Sequence, residues 1–300
     1  MAPREDRPLA GILWMLVTGV NFVAVTAIVK HVGDGLPAAQ SAFLRYLLGL
    51  VFLIPMIRPM LAARLSRQQL ALFGWRGLAH GLGVMLWFYA MTRITIAEVT
   101  ALNYLNPVYV TIGAVLFLGE RIAARRLLAV AAAFLGAMII LRPGFRELDL
   151  GHITMLGTAV LFGASYLLAK RLSGELSAAV IVGFLSITVT VVLLPFAAAV
   201  WVTPTLAQLG WIFGVAVFAT AGHYTMTLAF AAAPVTVTQP VTFLQLLWAI
   251  LLGWLVFDEA VDGWVVLGGA VILAAVSFIT WREHVQKQRA VTPVVNETKV

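Results

Sequence analysis

Cysteine is absent from the 300 residues, and with it go disulfides, thiolate metal ligands and cysteine nucleophiles. Charge is the second scarcity. Only 11% of residues are Asp, Glu, Lys or Arg, against about 25% in an ordinary soluble domain. The thirteen acids are missing from the middle of every long apolar stretch, and no close His or acidic cluster has metal-ligand spacing. A phosphate-cradling glycine loop and a Ser-His-Asp order are also lacking, so a membrane enzyme or sensor is a weak reading and no cofactor or metal is implied. What remains is apolar: 62% hydrophobic residues and a mean hydropathy of +0.98.

Such a chain belongs in a bilayer. Its apolar stretches approach the roughly 20 residues of a spanning helix, rather than the alternating stretches of about 10 residues found in barrel strands. The expected fold is therefore an all-α polytopic membrane protein of ten transmembrane helices. The spans are predicted near 9–30, 38–57, 70–91, 96–118, 123–141, 151–170, 177–200, 207–230, 236–257 and 263–281. Connections are short, and the polar segment 282–300 reads as a disordered cytoplasmic tail. The charged start followed by a long apolar run is taken as a retained first helix, not a cleaved signal.

A net charge of +7 could attract nucleic acid, but in a membrane chain a basic excess usually marks cytoplasmic loops, so no nucleic-acid partner is expected. With both termini cytoplasmic, fourteen Lys and Arg residues fall inside and four outside, while Arg45 and Arg76 fall within spans. Arg58, Arg64, Arg67, Arg121, Arg125 and Arg126 follow spans two and four, whereas the corresponding loops of the second half carry no Lys or Arg.

Landmarks also recur: Gly11 with Gly151, Lys30 with Lys170 and Pro55 with Pro195 are each 140 residues apart, and Glu120 with Glu259 is 139 apart. This pattern predicts two five-helix repeats, 9–141 and 151–281. Since five is odd, the second copy is inverted, an arrangement that commonly places a transport site near the midplane.

Polar groups in hydrocarbon need partners or a water-filled cavity. Asn103 and Asn106 share a helical face near the middle of span four, and the repeat offset carries them to Thr242 and Gln245 in span nine. Pro107 and Pro240 predict bends or local unwinding beside these pairs. In span three, Arg76, His80 and Trp87 form one stripe, and span eight offers His223. Both histidines suit substrate binding or proton uptake, with interhelical hydrogen bonding as the structural alternative. Asn21, Tyr104, Tyr166 and Trp248 complete a candidate lining for a flat or apolar group. Arg45 lies about two turns inside span two, and an ion pair with Glu98 is its expected role.

The run Asn103-Tyr-Leu-Asn-Pro107, followed by Leu118-Gly-Glu120-Arg121, together with Phe43-Leu-Arg45-Tyr-Leu, resembles the EamA family of the drug/metabolite transporter superfamily. The resemblance covers both halves, although Gln245-Leu246 stands where the first copy has Asn106-Pro107. It implies ten helices, a central cavity and alternating access in a bacterial inner membrane. Among members, the Asn-Tyr-Leu stretch is most similar to bacterial exporters of amino acids, including aromatic ones, which makes Tyr104 and Asn106 cavity positions. The first helix has Thr18 and Asn21 where the small multidrug branch has an acid, so proton-coupled multidrug antiport is not expected. The predicted protein is a monomeric exporter of amino acids or related small polar metabolites. Nucleosides, S-adenosylmethionine or sugar conjugates are the alternative cargo.

Overall fold

The computed structural model describes residues 7–118, 124–145, 147–173, 175–233 and 238–291. Every element among the described residues is helical. In order these are α1 (Pro8–Val32), α2 (Ala38–Gly49), a 3-10 run (Leu50–Met56), α3 (Ile57–Ala62), α4 (Arg67–Arg93), α5 (Ile96–Asn103) and α6 (Asn106–Leu118). They continue with α7 (Ala124–Leu141), α8 (Leu150–Ser173), α9 (Ala178–Ala199), α10 (Leu206–Ala232), a 3-10 turn (Gln239–Thr242), α11 (Phe243–Phe257) and α12 (Gly263–Val291). Among the described residues six segments are long and apolar enough to cross a bilayer, and shorter apolar helices lie at Leu127–Leu141 and Leu244–Phe257. Leu13, Val20, Leu135, Leu194 and Leu255 are more than half exposed, which suits contact with lipid chains rather than water. The chain is an all-helical polytopic membrane protein.

Proline explains where the fourth predicted span is interrupted. Continuing α5 would press the Pro107 ring against the Asn103 carbonyl, and Pro107 has no N–H to donate. The chain instead takes i to i+3 bonds, Tyr104 N–H to Ala101 and Leu105 N–H to Leu102, before α6 opens with Pro107 at its second position. Pro240 sits in the 3-10 turn ahead of α11, and Pro55 in the 3-10 run after α2. Gly119, Glu120 and Arg121 lie outside the described residues.

Residues 282–291, which polar composition assigned to a tail, continue α12, helical through Val291; the rest of that segment, 292–300, lies outside the described residues. Residues 282–290, Arg-Glu-His-Val-Gln-Lys-Gln-Arg-Ala, are mostly strong helix formers, so helix already nucleated in the apolar part propagates through them.

Packing joins the two halves of the chain throughout. Helix α1 lies on α10 and α4 on α8, while α2 packs against α9 and α7 against α12. Two weaker pairs are α6 with α8 and α1 with α11. The α7–α12 contact depends on Gly136 and Gly268: a Cβ on Gly136 would stand 2.7 Å from the Gly268 carbonyl oxygen. Helices α4 and α10, both 27 residues long, begin with the same capping box, Ser66 with Gln69 and Thr205 with Gln208.

Candidate functional site

Helices α2, α4 and α8 converge on His80. One imidazole nitrogen, Nε2, lies 2.9 Å from Tyr46 Oη, and the other, Nδ1, lies 3.2 Å from Ser165 Oγ. Phe162 stacks on the ring with 4.9 Å between centroids. Trp87 meets Phe162 edge-on at 6.1 Å, and Tyr166 lies 6.4 Å from the same ring. His80, Ser165 and Phe162 are buried, yet Tyr166 is 39% exposed, so the aromatic group has an open flank. Either tautomer of His80 can be satisfied, because both neighbouring hydroxyls donate or accept by rotation.

Two guanidinium groups flank this cluster. Arg45 is 8% and Arg76 is 6% exposed. The Arg45 guanidinium carbon lies 4.2 Å from the centroid of the Tyr46 ring, and Arg76 Nη1 donates to the Ile181 carbonyl at 3.1 Å. The Nε of each arginine is buried without a hydrogen-bond partner. His223, on the exposed side of α10, meets Phe22 edge-on at 5.2 Å and feels both arginines electrostatically, as does His80.

The expected Arg45–Glu98 ion pair does not form. Glu98 occupies the third position of α5, where its Oε2 accepts the Thr95 N–H at 2.9 Å in a capping box, and its Oε1 lies 3.2 Å from His152 Nε2. Among the described residues Arg45 has no carboxylate partner.

The polar pairs of spans four and nine are linked differently from the simple face-to-face expectation. Asn106 Nδ2 donates to Asn103 Oδ1 at 2.8 Å, leaving the buried Asn106 Oδ1 without a partner. Contact with the other half comes from Tyr104, whose Oη donates to the Thr242 carbonyl at 2.8 Å across the break between α5 and α6. Gln245 packs against Gly19 of α1. Asn21 donates to the Val17 carbonyl of its own helix at 2.7 Å, and its Cβ lies against Gly222 of α10. Trp248 is 40% exposed on α11 and makes no ring contact among the described residues.

One end of the bundle carries an ionic network. Lys30 pairs with Glu259 and donates to the Ile94 carbonyl at 2.9 Å, while the Ile96 N–H donates to Glu259 at 2.9 Å. Arg142 pairs with Asp262 beside it. At the other end, Gln69 donates to Glu175 at 2.6 Å.

Tyr46 and Phe162 were not singled out by the sequence reading. The signal for Tyr46 was its place next to an intramembrane arginine; Phe162 had none, because a phenylalanine in an apolar chain is unremarkable.

A multi-helix membrane architecture enclosing a polar and aromatic cluster defines the class of protein, and comparison with known proteins supplies the family. The model of the EamA-like transporter family matches residues 9–142 and again residues 149–281, and the chain belongs to that family. A riboflavin transporter of Vibrio cholerae is 31% identical over 95% of this chain and 97% of its own length. A pseudopaline exporter of Pseudomonas aeruginosa is 27% identical, covering 89% and 94%. An S-adenosylmethionine uptake transporter of Rickettsia bellii is 25% identical, covering 91% and 94%. A solved crystal structure superposes with a TM-score of 0.58 over 95% of this chain and 99% of that one, at 14% identity, a likeness of fold alone. The chain is a membrane transporter of the drug/metabolite superfamily.

Proposed function

We propose that the protein carries flat heterocyclic metabolites of the riboflavin kind across the bacterial inner membrane. It does so by alternating access between two inverted five-helix copies, 9–141 and 151–281, with both termini cytoplasmic. The ten-span reading is supported by the fourteen-to-four distribution of basic residues. The inverted repeat is supported by the packing: exchanging the halves turns the α1–α10 contact into α8–α4 and the α6–α8 contact into α11–α1, while α2–α9 and α7–α12 map onto themselves.

The observation that carries the cargo class is the stack of His80 and Phe162, with Trp87 at its edge and Tyr166 open beside it. A planar ring seated on that flank gains apolar burial and ring contact together. In this reading Trp87, Tyr166 and His223 touch the cargo, His80 positions the aromatic wall, and Asn103, Tyr104, Asn106, Thr242, Gln245, Trp248 and Asn21 form the polar floor and opposite wall. Arg45 and Pro107 shape the cavity, Pro240 bends span nine, and Glu98 belongs to the outer closure. Riboflavin transporters at 31% and 32% identity over nearly the whole chain favour the same class.

An aromatic amino acid is the second reading. It is favoured by Asn106 Oδ1, a buried acceptor without a partner that an α-ammonium group would satisfy. Titrating purified protein into riboflavin separates the two: saturable quenching of flavin fluorescence that excess tryptophan does not relieve supports the flavin class. Displacement by tryptophan alone, or no quenching, rejects it.

A further inference from the structure

We infer that the cargo bears an anionic group, a carboxylate or a phosphate, which serves as the missing counter-ion of Arg45 and Arg76. The inference rests on the carrier reading above and narrows its substrate class. A guanidinium withdrawn from water in a membrane protein is costly unless an anion or a full set of acceptors replaces the solvent. Arg45 and Arg76 have neither. Each is more than nine-tenths buried and each leaves Nε unpartnered. Arg76 has a single carbonyl acceptor, and Arg45 has the face of Tyr46.

The ion pairs among the described residues, Lys30–Glu259, Arg142–Asp262 and His152–Glu98, use neither arginine. His80 and His223 lie within electrostatic reach of the same two guanidiniums and bring no negative charge to them. The four side chains come from α2, α4 and α10, so they embrace one locus from both halves of the chain. That locus adjoins the open aromatic flank at Tyr166, which itself interacts electrostatically with Arg76. A planar cargo seated there presents its acidic substituent to the arginines.

The test compares matched ligands that differ only in the anion. Detergent-solubilised wild type, R45Q, R76Q, R45K and R76K are melted with benzoate or benzamide, probes independent of the true cargo. Reconstituted protein is then assayed for competition between riboflavin and riboflavin 5′-phosphate. Wild type should be stabilised by benzoate and not benzamide, and should prefer the phosphate ester by about tenfold or more. The Gln variants should lose that preference and the Lys variants keep part of it; because preference is a ratio within one sample, a change in expression does not mimic it. Equal response to both members of each pair in wild type, or an unchanged preference in both Gln variants, overturns the anion site. Benzoate stabilisation lost in the Gln variants, together with no interaction with either flavin, keeps the anion site and instead rejects the flavin class.

Discussion

Replacing Glu259 with Gln isolates one charge in the network that closes the Lys30 end of the bundle. The amide oxygen can still accept the Ile96 N–H, so the helix start is kept while the pairing with Lys30 is lost. The two side chains are 20% and 10% exposed, between the surface case, worth about 0–1 kcal/mol, and the fully buried case, worth about 3–5 kcal/mol. A working value of about 2 kcal/mol corresponds to a population shift of roughly thirtyfold toward the state in which this end is open.

Because the chain has no cysteine, a single reporter is unambiguous. Ala97 lines the small cleft beside Glu259, and Ala97→Cys can be labelled in right-side-out vesicles with a membrane-impermeant maleimide. The labelling rate should rise between about tenfold and thirtyfold in the Glu259→Gln background. A rate within twofold of the parent, in protein that still folds, refutes the latch and the energy assigned to it.

Three further perturbations probe other parts of the account. Tyr104→Phe removes the donor to the Thr242 carbonyl and should lower unfolding free energy by about 1 kcal/mol, read as a drop in thermal midpoint in detergent. An unchanged midpoint would mean that bond is dispensable. Gly136→Ala forces a methyl group toward the Gly268 carbonyl and should cost about 1–3 kcal/mol, whereas Gly74→Ala, with no atom within 4 Å of the added carbon, should not destabilise. Equal behaviour of the two variants would remove the close α7–α12 crossing from the account. Trp87→Ala and Tyr166→Ala should each weaken flavin binding by about threefold to tenfold, measured by fluorescence quenching, and wild-type affinity in both would place the ring elsewhere.

Much of the architecture was legible because the bilayer imposes a length. Helices cover the apolar stretches at α1, α8, α9 and α10 close to their predicted limits, and Pro107 announced the interruption of span four. The 3-10 run at Leu50–Met56 was not foreseen, since a proline in an apolar stretch does not reveal how far the backbone tightens before it. The end of α12 was misjudged because polar composition reads as a tail, although Arg, Glu, Gln and Lys are also strong helix formers.

Site residues were harder. His80 and Tyr166 stood out as polar atoms in hydrocarbon, but their grouping with Tyr46 and Phe162 depends on how α2, α4 and α8 meet, which no local pattern encodes. Glu98 was matched to Arg45 because both fall toward the outer face of their predicted spans. The fold gives its carboxylate to the start of α5 and to His152, and leaves the arginine open.

Counterflow of radiolabelled riboflavin into proteoliposomes tests the central claim most directly. Saturable uptake is expected, driven by unlabelled flavin inside the vesicles and depressed by loss of Trp87 and Tyr166. Uptake no greater than in protein-free liposomes, from protein shown to be folded and inserted, would contradict it.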